Sequence, residues 1–150
     1  MILSGQSIRE RDIFEPFSER TQFQGFSYGL SPAGYDVRIA EDIRVLHPGE
    51  FMLASTMERF SMPSDLMGIV HDKSTWARMG LAVQNTVIEP GWHGYLTLEL
   101  TNHGSDMLCI RQGSGIAQIV FHQIDRHVEA AYDGKYQNQE AGPQRARFST

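Results

Sequence analysis

Residues 71–102 read HDKSTWARMGLAVQNTVIEPGWHGYLTLELTN and carry the densest structural signals in the chain. Near the end of this stretch, Tyr95–Thr101 alternates apolar and polar residues with a period of two, as in a β-strand that buries one face. The pattern predicts one face made of Leu96, Leu98 and Leu100, and another made of Tyr95, Thr97, Glu99 and Thr101. A lone carboxylate on such a face is usually solvated. One that lies between two threonines can also be held by their hydroxyls and directed into a cleft.

A basic, hydroxyl-rich segment precedes this strand. Lys73-Ser74-Thr75-Trp76-Ala77-Arg78 places two cations and two hydroxyl groups within six residues. If one helical turn forms here, Ser74 and Arg78 lie on the same side of it. Backbone N–H groups at the start of a helix, with Lys and Arg beside them, suit a phosphate chain. A capped short helix with an exposed basic end explains the same pattern. Between the two segments, Pro90-Gly91 predicts a tight turn.

Short apolar runs separated by turn residues recur along the chain and predict an all-β barrel or sandwich. Turn residues such as His47-Pro48-Gly49 and Gly113-Ser114-Gly115 separate the runs. The predicted strands are Tyr35–Ala40, Ile43–Leu46, Phe51–Ser55, Met67–His71, Leu81–Val83, Gly94–Thr101, Met107–Arg111, Ile116–Phe121 and Val128–Ala131.

Helical signals are concentrated at the N-terminus. Ser7-Ile8-Arg9-Glu10 matches a capping box and predicts a short helix that starts at Ser7. This helix should end before Pro16, which cannot continue the hydrogen-bond ladder.

The composition fits one soluble globular domain and disfavours several function classes. The chain has 150 residues, 13 Lys+Arg against 18 Asp+Glu and a net charge of −5, with no basic run, so nucleic acid is not an expected partner. The single cysteine, Cys109, allows no internal disulfide and fits the reducing cytoplasm; its apolar neighbours predict that it lies in the core. No signal peptide or membrane-spanning run is apparent, so no membrane association is expected.

Two familiar catalytic signatures are incomplete in this chain. His127-Val128-Glu129 supplies the H-x-E of zinc nucleobase deaminases, but one cysteine cannot supply the P-C-x-x-C that completes that site. The six histidines show no zinc-ligand spacing, so none is assigned to a metal. Ser74 as a nucleophile would need a base and an orienting acid; His71 is close in sequence, but no third partner is evident.

The ordered motifs of the chain resemble those of the dCTP deaminase family, the deaminating branch of the trimeric dUTPase superfamily. They are KSTWAR (73–78), IEPGW (88–92) and TLELTN (97–102), joined by SPAGYDVR (31–38) and GKYQNQ (134–139). The resemblance covers nearly the whole chain. It implies a distorted jelly roll or β-barrel of the dUTPase-like type with one or two short helices. It also implies a single domain over residues 1–150 and a homotrimer with active sites between subunits.

The resemblance further implies conversion of dCTP to dUTP and ammonia, with Glu99 as the general base and acid. Ser74 and Arg78 would orient water and support Glu99. Magnesium would arrive on the triphosphate, as hard oxygen ligands favour. The substrate-binding residues implied in the same way are Lys73, Ser74, Thr75, Arg78, Glu89, Thr97, Leu98, Gln118, Tyr132, Lys135 and Gln139.

The C-terminal tail, residues 134–150, differs in kind from the rest of the chain. It reads GKYQNQEAGPQRARFST, polar and without core-facing periodicity, which is common in frayed termini. It also carries Lys135, Gln139, Arg145 and Arg147, each of which could meet phosphate oxygens. The match to the family's closing tail favours a lid that covers a bound nucleotide.

Two departures from the family pattern bear on function. Better-known members carry a much longer segment between the DVR strand and the PGE turn, here reduced to Ile39–His47. Many relatives also have Asp at the position of Glu89, and in the diphosphatase branch that aspartate activates the attacking water. The longer side chain argues mildly against dUTP hydrolysis. A dUTP diphosphatase, a bifunctional enzyme and a catalytically silent nucleotide-binding regulator therefore remain as alternatives.

Overall fold

The computed structural model describes residues 1–149, and nearly all of its regular elements are β-strands. In chain order, its elements are α1 (Gly5–Arg9), β1 (Phe14–Glu15), β2 (Thr21–Phe23), β3 (Phe26–Ser31), β4 (Gly34–Arg38), β5 (Ile43–Leu46), β6 (Phe51–Ser61), β7 (Leu66–Asp72), α2 (Ser74–Ala77), β8 (Leu81–Val83), β9 (Val87–Ile88), β10 (His93–Asn102), β11 (Leu108–Ile110) and β12 (Gly115–Gln123). The all-β class with two short helices is thus confirmed. Thr150, the last residue of the predicted tail, lies outside the described part of the chain.

The strands form three antiparallel sheets. One has the order β1-β6-β10-β8, a second β2-β3-β4-β12-β7-β9, and the third pairs β11 with β5. The long strands β6 and β10 run together from Phe51↔Thr101 to Ser61↔His93. Because β10 lies between β6 and the short strand β8, its middle is a sheet edge wherever β8 does not reach.

One apolar cluster joins the three sheets. Tyr35 and Phe121 come from the six-stranded sheet, Phe60 from the four-stranded sheet and Leu46 from the pair; all four are fully buried. Phe14 stacks on Tyr35 with ring centroids 3.8 Å apart and meets Phe60 edge-on at 4.9 Å. Buried aromatic rings of this size dominate core energetics, so the sheets are fixed relative to one another by this cluster.

Helix α1 starts earlier than the capping-box signal predicts. It begins at Gly5 with Ser4 as the N-cap, so Ser7 lies inside the helix and Glu10 is its C-cap. The start is set by a tertiary contact, since the Gly5 N–H donates to the Pro32 carbonyl at 2.8 Å. A β-carbon on Gly5 would lie 2.5 Å from the Ser31 carbonyl oxygen, so only glycine allows this approach.

Two further predictions are wrong. Cys109 is exposed, because the alternation of β11 turns Leu108 and Ile110 into the core and the residue between them outward. The segment Val128–Ala131 forms no strand. Its backbone is held at Val128, whose N–H donates to the Ser64 carbonyl, and no ladder extends from that bond. Among residues 1–149, no helix is long and apolar enough to cross a membrane.

Candidate active site

A cleft of about 480 Å³ opens between the middle of β10, the segment before β10 and the C-terminal tail. Its apolar lining includes Phe51, Leu53, Ile88, Trp92 and Leu96. Its polar lining includes Asn85, Glu89, Thr97, Glu99, Tyr132, Gln139, Gln144 and Arg145. A mostly apolar concave site with a few convergent polar groups is the usual form of a small-molecule site.

The cleft exists because the chain leaves the edge of β10 after β8. Strand β8 pairs with β10 as far as Val83↔Leu100, and the Gln84 N–H still donates to the Glu99 carbonyl at 2.8 Å. The chain then turns away, and Val87 and Ile88 pair with Ile69 and Gly68 of β7 in the other sheet. The opening between the two pairings exposes the backbone and side chains of β10 around Glu99.

Glu99 is the half-buried carboxylate of this opening. Burial raises the pKa of the Glu99 carboxyl above its ordinary value, with no ion pair or hydrogen bond among the described residues to lower it. A carboxyl group in this environment is poised to hold and release a proton nearer neutral pH than a solvated one. The predicted alternation thus places Glu99 in a cleft.

The alternation of β10 is broken at Leu96. Pairing with β6 runs from Tyr95↔Arg59 directly to Thr97↔Ser55, so extra residues of β6 lie opposite Leu96. The Leu96 N–H donates instead to the Thr56 hydroxyl at 3.0 Å. Leu96 consequently lines the cleft, whereas Leu98 and Leu100 are fully buried as predicted. The irregularity gives the cleft an apolar wall beside Thr97.

The tail lies along the same side of β10. Gly94 bridges to Gln139 in parallel register, and the Tyr95 N–H donates to the Gln139 carbonyl at 3.0 Å. Gly94 has φ 139°, and a β-carbon there would lie 2.6 Å from the Gln139 nitrogen. Farther along, the Gln144 N–H donates to the Thr97 hydroxyl at 3.0 Å. The tail therefore forms one wall of the cleft through contacts with β10 itself.

The predicted site residues fall into two groups. Five of them line the cleft, namely Glu89, Thr97, Glu99, Tyr132 and Gln139. Lys73, Ser74, Thr75 and Arg78 belong to α2 and its caps, and Gln118 lies on β12, all outside the lining. The Leu98 side chain is in the core, and Lys135 lies 5.3 Å from the ring of Tyr136. Within residues 1–149 of the chain, the two groups lie apart.

Lys73 is held in a nearly buried polar cluster. Its Nζ donates to Asp36 Oδ2 at 2.5 Å and to the Ser27 hydroxyl at 3.0 Å. Gln118 donates to the other Asp36 oxygen at 3.2 Å and to the Ser31 hydroxyl at 3.3 Å. Asp36 thus joins two residues of the predicted substrate-binding set, a contact that the sequence pattern did not indicate.

The helical turn α2 forms as the sequence predicts. The Arg78 N–H donates to the Ser74 carbonyl at 3.1 Å, which closes the turn. Trp76 anchors the turn by stacking on Phe26 at 4.3 Å between centroids and by donating to the Gly115 carbonyl at 2.9 Å. Ser74, Thr75 and Arg78 remain exposed. The turn is therefore a rigid support for exposed polar groups.

Several lining residues were missed by sequence reasoning. Asn85 is the most informative of these: its Nδ2 donates to the Thr97 carbonyl at 2.6 Å, and its Oδ1 accepts the Glu99 N–H at 2.9 Å. The available signal was its position two residues after the end of β8, in a loop, where asparagine is common. Gln144 and Arg145 lie in the tail, whose path no periodicity predicts. Among residues 1–149, no group of three His, Cys, Asp or Glu side chains is arranged to hold a metal ion.

Comparison with known proteins places this geometry in a family. The dCTP deaminase-like family model matches residues 35–124. A dCTP deaminase of Campylobacter fetus is 37% identical over 167 aligned positions, which cover 90% of this chain and 89% of the relative. Because those 167 positions outnumber the 150 residues of this chain, the relative has internal residues without a counterpart here, in agreement with a shortened chain.

Solved structures agree in fold. The 2'-deoxycytidine 5'-triphosphate deaminase of Agrobacterium tumefaciens superposes with a TM-score of 0.64 and 21% identity, covering 81% of this chain and 47% of that one. The native dUTPase of EIAV superposes with a TM-score of 0.61 and 20% identity, covering 82% of this chain and 97% of that one. The fold is therefore dUTPase-like, and from the family model and the sequence relatives, the chain belongs to the dCTP deaminase-like family.

Proposed function

We propose that the chain catalyses the hydrolytic deamination of dCTP to dUTP and ammonia, with Glu99 as general base and acid. The observation that carries this proposal is the half-buried Glu99 carboxylate in the cleft, whose pKa is raised by burial. The identity to named dCTP deaminases over most of the chain supports the choice of substrate. The remaining lining is suited to a base and sugar, because it combines apolar walls with a few amides and hydroxyls.

The chemistry needs one group that first takes and then returns protons. Glu99 removes a proton from water while the water oxygen bonds to C4 of cytosine, and it passes this proton to N3 as the C4–N3 double bond becomes a single bond. In the resulting tetrahedral intermediate, Glu99 takes the remaining proton from the oxygen on C4 and passes it to the amino group. The bond between C4 and the amino nitrogen then breaks, so that ammonia leaves and the oxygen on C4 becomes the uracil carbonyl. A carboxyl with a raised pKa suits both directions of transfer.

The proposed chemistry at the base is metal-free, and magnesium enters as part of the substrate, bound to the triphosphate. The single cysteine of the chain argues against a zinc deaminase site, which needs a His/Cys/Cys or similar ligand set. Thr97 and Leu98 would present backbone groups to the base, Glu89 would lie near the sugar, and Tyr132, Gln139, Lys135 and Gln118 would contact the nucleotide.

The phosphate-binding groups of the proposal come from a neighbouring subunit of a homotrimer. Ser74, Thr75 and Arg78 are exposed on a rigid turn yet do not line the cleft of their own protomer. A cation and two hydroxyls in that position fit phosphate oxygens. The Lys73 ammonium group is already paired with the Asp36 carboxylate, so Arg78 is the better candidate for the main phosphate contact.

One observation keeps a second activity in view. Glu89 lines the same cleft as Glu99, with its side chain exposed. It could activate water against the phosphate chain, which would make the enzyme bifunctional or a dUTP diphosphatase.

A product assay tests the proposal. Purified protein with magnesium receives either dCTP or dUTP, and the nucleotides are resolved by anion exchange. We expect dCTP to be converted to dUTP that accumulates. Appearance of dUMP and pyrophosphate would favour the second activity. Survival of both nucleotides despite measurable binding would mean that the chain is a nucleotide-binding regulator and would overturn the proposal.

A further inference from the structure

The side chain of Asn85 occupies the place of a missing strand beside Glu99. A continued β8 would have supplied an acceptor for the Glu99 N–H and a donor for the Thr97 carbonyl. Instead, the side-chain amide of Asn85 supplies both, at 2.9 Å and 2.6 Å. The ladder is thus extended by one side chain at the point where the main chain turns away to open the cleft.

We propose that Asn85 is a positioning residue for the proposed reaction: it holds the Thr97 carbonyl and the Glu99 N–H, the backbone groups directly before the Glu99 side chain, and so sets where its carboxylate points. The inference rests on the proposed function. The opposite edge of β10 pairs with β6 in this region. The paired residues are Thr97↔Ser55, Leu98↔Ala54 and Glu99↔Leu53. The cleft-side edge has the Asn85 amide and the Gln84 N–H as its partners there.

The need for one donor and one acceptor favours asparagine at position 85 over other small side chains. Aspartate would keep the acceptor for the Glu99 N–H and lose the donor to the Thr97 carbonyl. Alanine would lose both and leave two backbone polar groups of a partly buried strand without partners. Only one orientation of the amide satisfies an N–H and a carbonyl together, so the two contacts also fix the rotamer of Asn85.

The strand irregularity at Leu96 makes this support necessary. Ladder pairing between β10 and β6 is interrupted between Tyr95 and Thr97, directly before the segment that Asn85 holds. A strand interrupted on one side and open to a cleft on the other has few backbone bonds to fix its position. Asn85 provides two of them, at the Thr97 carbonyl and at the N–H of Glu99, the residue whose geometry the chemistry requires.

The test compares Asn85→Ala with Gln84→Ala, a neighbouring side chain that reaches the Thr101 hydroxyl and does not line the cleft. Two readouts are taken: amide hydrogen exchange at Glu99, and kcat and KM for dCTP with magnesium. We expect the Glu99 amide of Asn85→Ala to exchange at least about 10-fold faster, because local opening becomes easier. We expect kcat to fall about 10- to 100-fold through misplacement of the carboxylate, while KM changes by less than about threefold. Gln84→Ala should stay near the wild type in both readouts.

Three results would overturn the inference. One is unchanged exchange at Glu99 in Asn85→Ala. The second is faster exchange with an unchanged kcat, which would leave Asn85 a purely structural residue. The third is a raised KM with an unchanged kcat, which would make it a substrate contact. If Asn85→Ala does not fold, Asn85→Asp decides in its place: intermediate values support the inference, and wild-type values in both readouts refute it.

The exchange measurement separates this inference from the proposed function. If the wild type leaves dCTP unchanged, the proposed function has failed. Exchange at Glu99 then still decides whether Asn85 holds that residue in place.

Discussion

The pair formed by Asp36 and Lys73 gives a quantitative prediction about stability. The two side chains are only 9% and 11% exposed and meet at 2.5 Å, so neither charge is well solvated. Replacing Asp36 by Leu or Lys73 by Met leaves one buried charge without its partner, which costs about 3–5 kcal/mol. Typical domains have about 5–15 kcal/mol in total, so each single variant should lose a large share of its stability.

Replacing both residues should cost much less than the sum of the single losses. An apolar pair of similar volume is often neutral relative to a buried ion pair, so Asp36→Leu combined with Lys73→Met should recover most of the stability. The exposed pair of Arg9 and Glu19 is the matched control, and Arg9→Ala should have a far smaller effect.

Urea unfolding at a fixed subunit concentration provides the assay. The chain has two tryptophans, and Trp76 lies three residues from Lys73, so fluorescence reports on this region. Two results would contradict a coupled buried pair: both single variants unfolding within about 1 kcal/mol of the wild type, or a double variant whose loss of stability equals the sum of the two single losses.

Further predictions concern the carboxylate, the subunit arrangement and the tail. Burial raises the pKa of Glu99, so the folded chain binds a proton there more tightly than the unfolded chain. The tighter proton binding stabilises the folded state fully at low pH, and this stabilisation is lost as the pH rises through the pKa of the folded state. Glu99→Gln should therefore unfold at a higher temperature than the wild type at pH 7, with the difference vanishing in acid; a variant no more stable at pH 7 would contradict this. Mixing inactive Glu99→Gln and Arg78→Ala subunits by joint refolding should restore dCTP turnover if sites lie between subunits, and persistent inactivity would count against that arrangement. Two changes to the tail contact should raise KM for dCTP: truncation before Lys135, and Gly94→Ala, whose β-carbon would lie 2.6 Å from the Gln139 nitrogen. Unchanged kinetics in both variants would contradict a role of the tail as a lid over the nucleotide.

The sequence predicts those parts of the fold that depend on local pattern. Ile43–Leu46 and Leu81–Val83 are strands with the predicted bounds, and the turn from Ser74 to Arg78 forms. The hairpin of β2 and β3 was missed although it had a signal, because Gln24 and Gly25 both adopt positive φ, as a tight hairpin turn requires. Alternation also explains why Cys109 is outward, although the apolar run suggested the core.

What could not be predicted depends on contacts between distant segments. The turning of Leu96 into the cleft follows from extra residues in β6, some forty positions earlier in the chain. The contact of Lys73 with Asp36 follows from the sheet order β4-β12-β7, which brings the end of β7 close to β4, and the position of Asn85 follows from where β8 ends. Periodicity within one segment carries no information about any of these. The sequence pattern thus predicted that Glu99 could lie in a cleft, and it did not predict the residues that hold its backbone in place.

The most direct test of Glu99 as the general base compares the wild type with Glu99→Gln in two measurements on the same preparations: turnover of dCTP to dUTP, and binding of dCTP by calorimetry, both with magnesium. A general acid–base group contributes about 10²–10⁴-fold to rate, so turnover should fall by at least about 100-fold. Because glutamine keeps the size of the side chain, the dissociation constant should change by less than about threefold. Turnover retained within tenfold of the wild type would contradict the role of Glu99 as the base, and loss of binding together with turnover would make it a substrate contact instead.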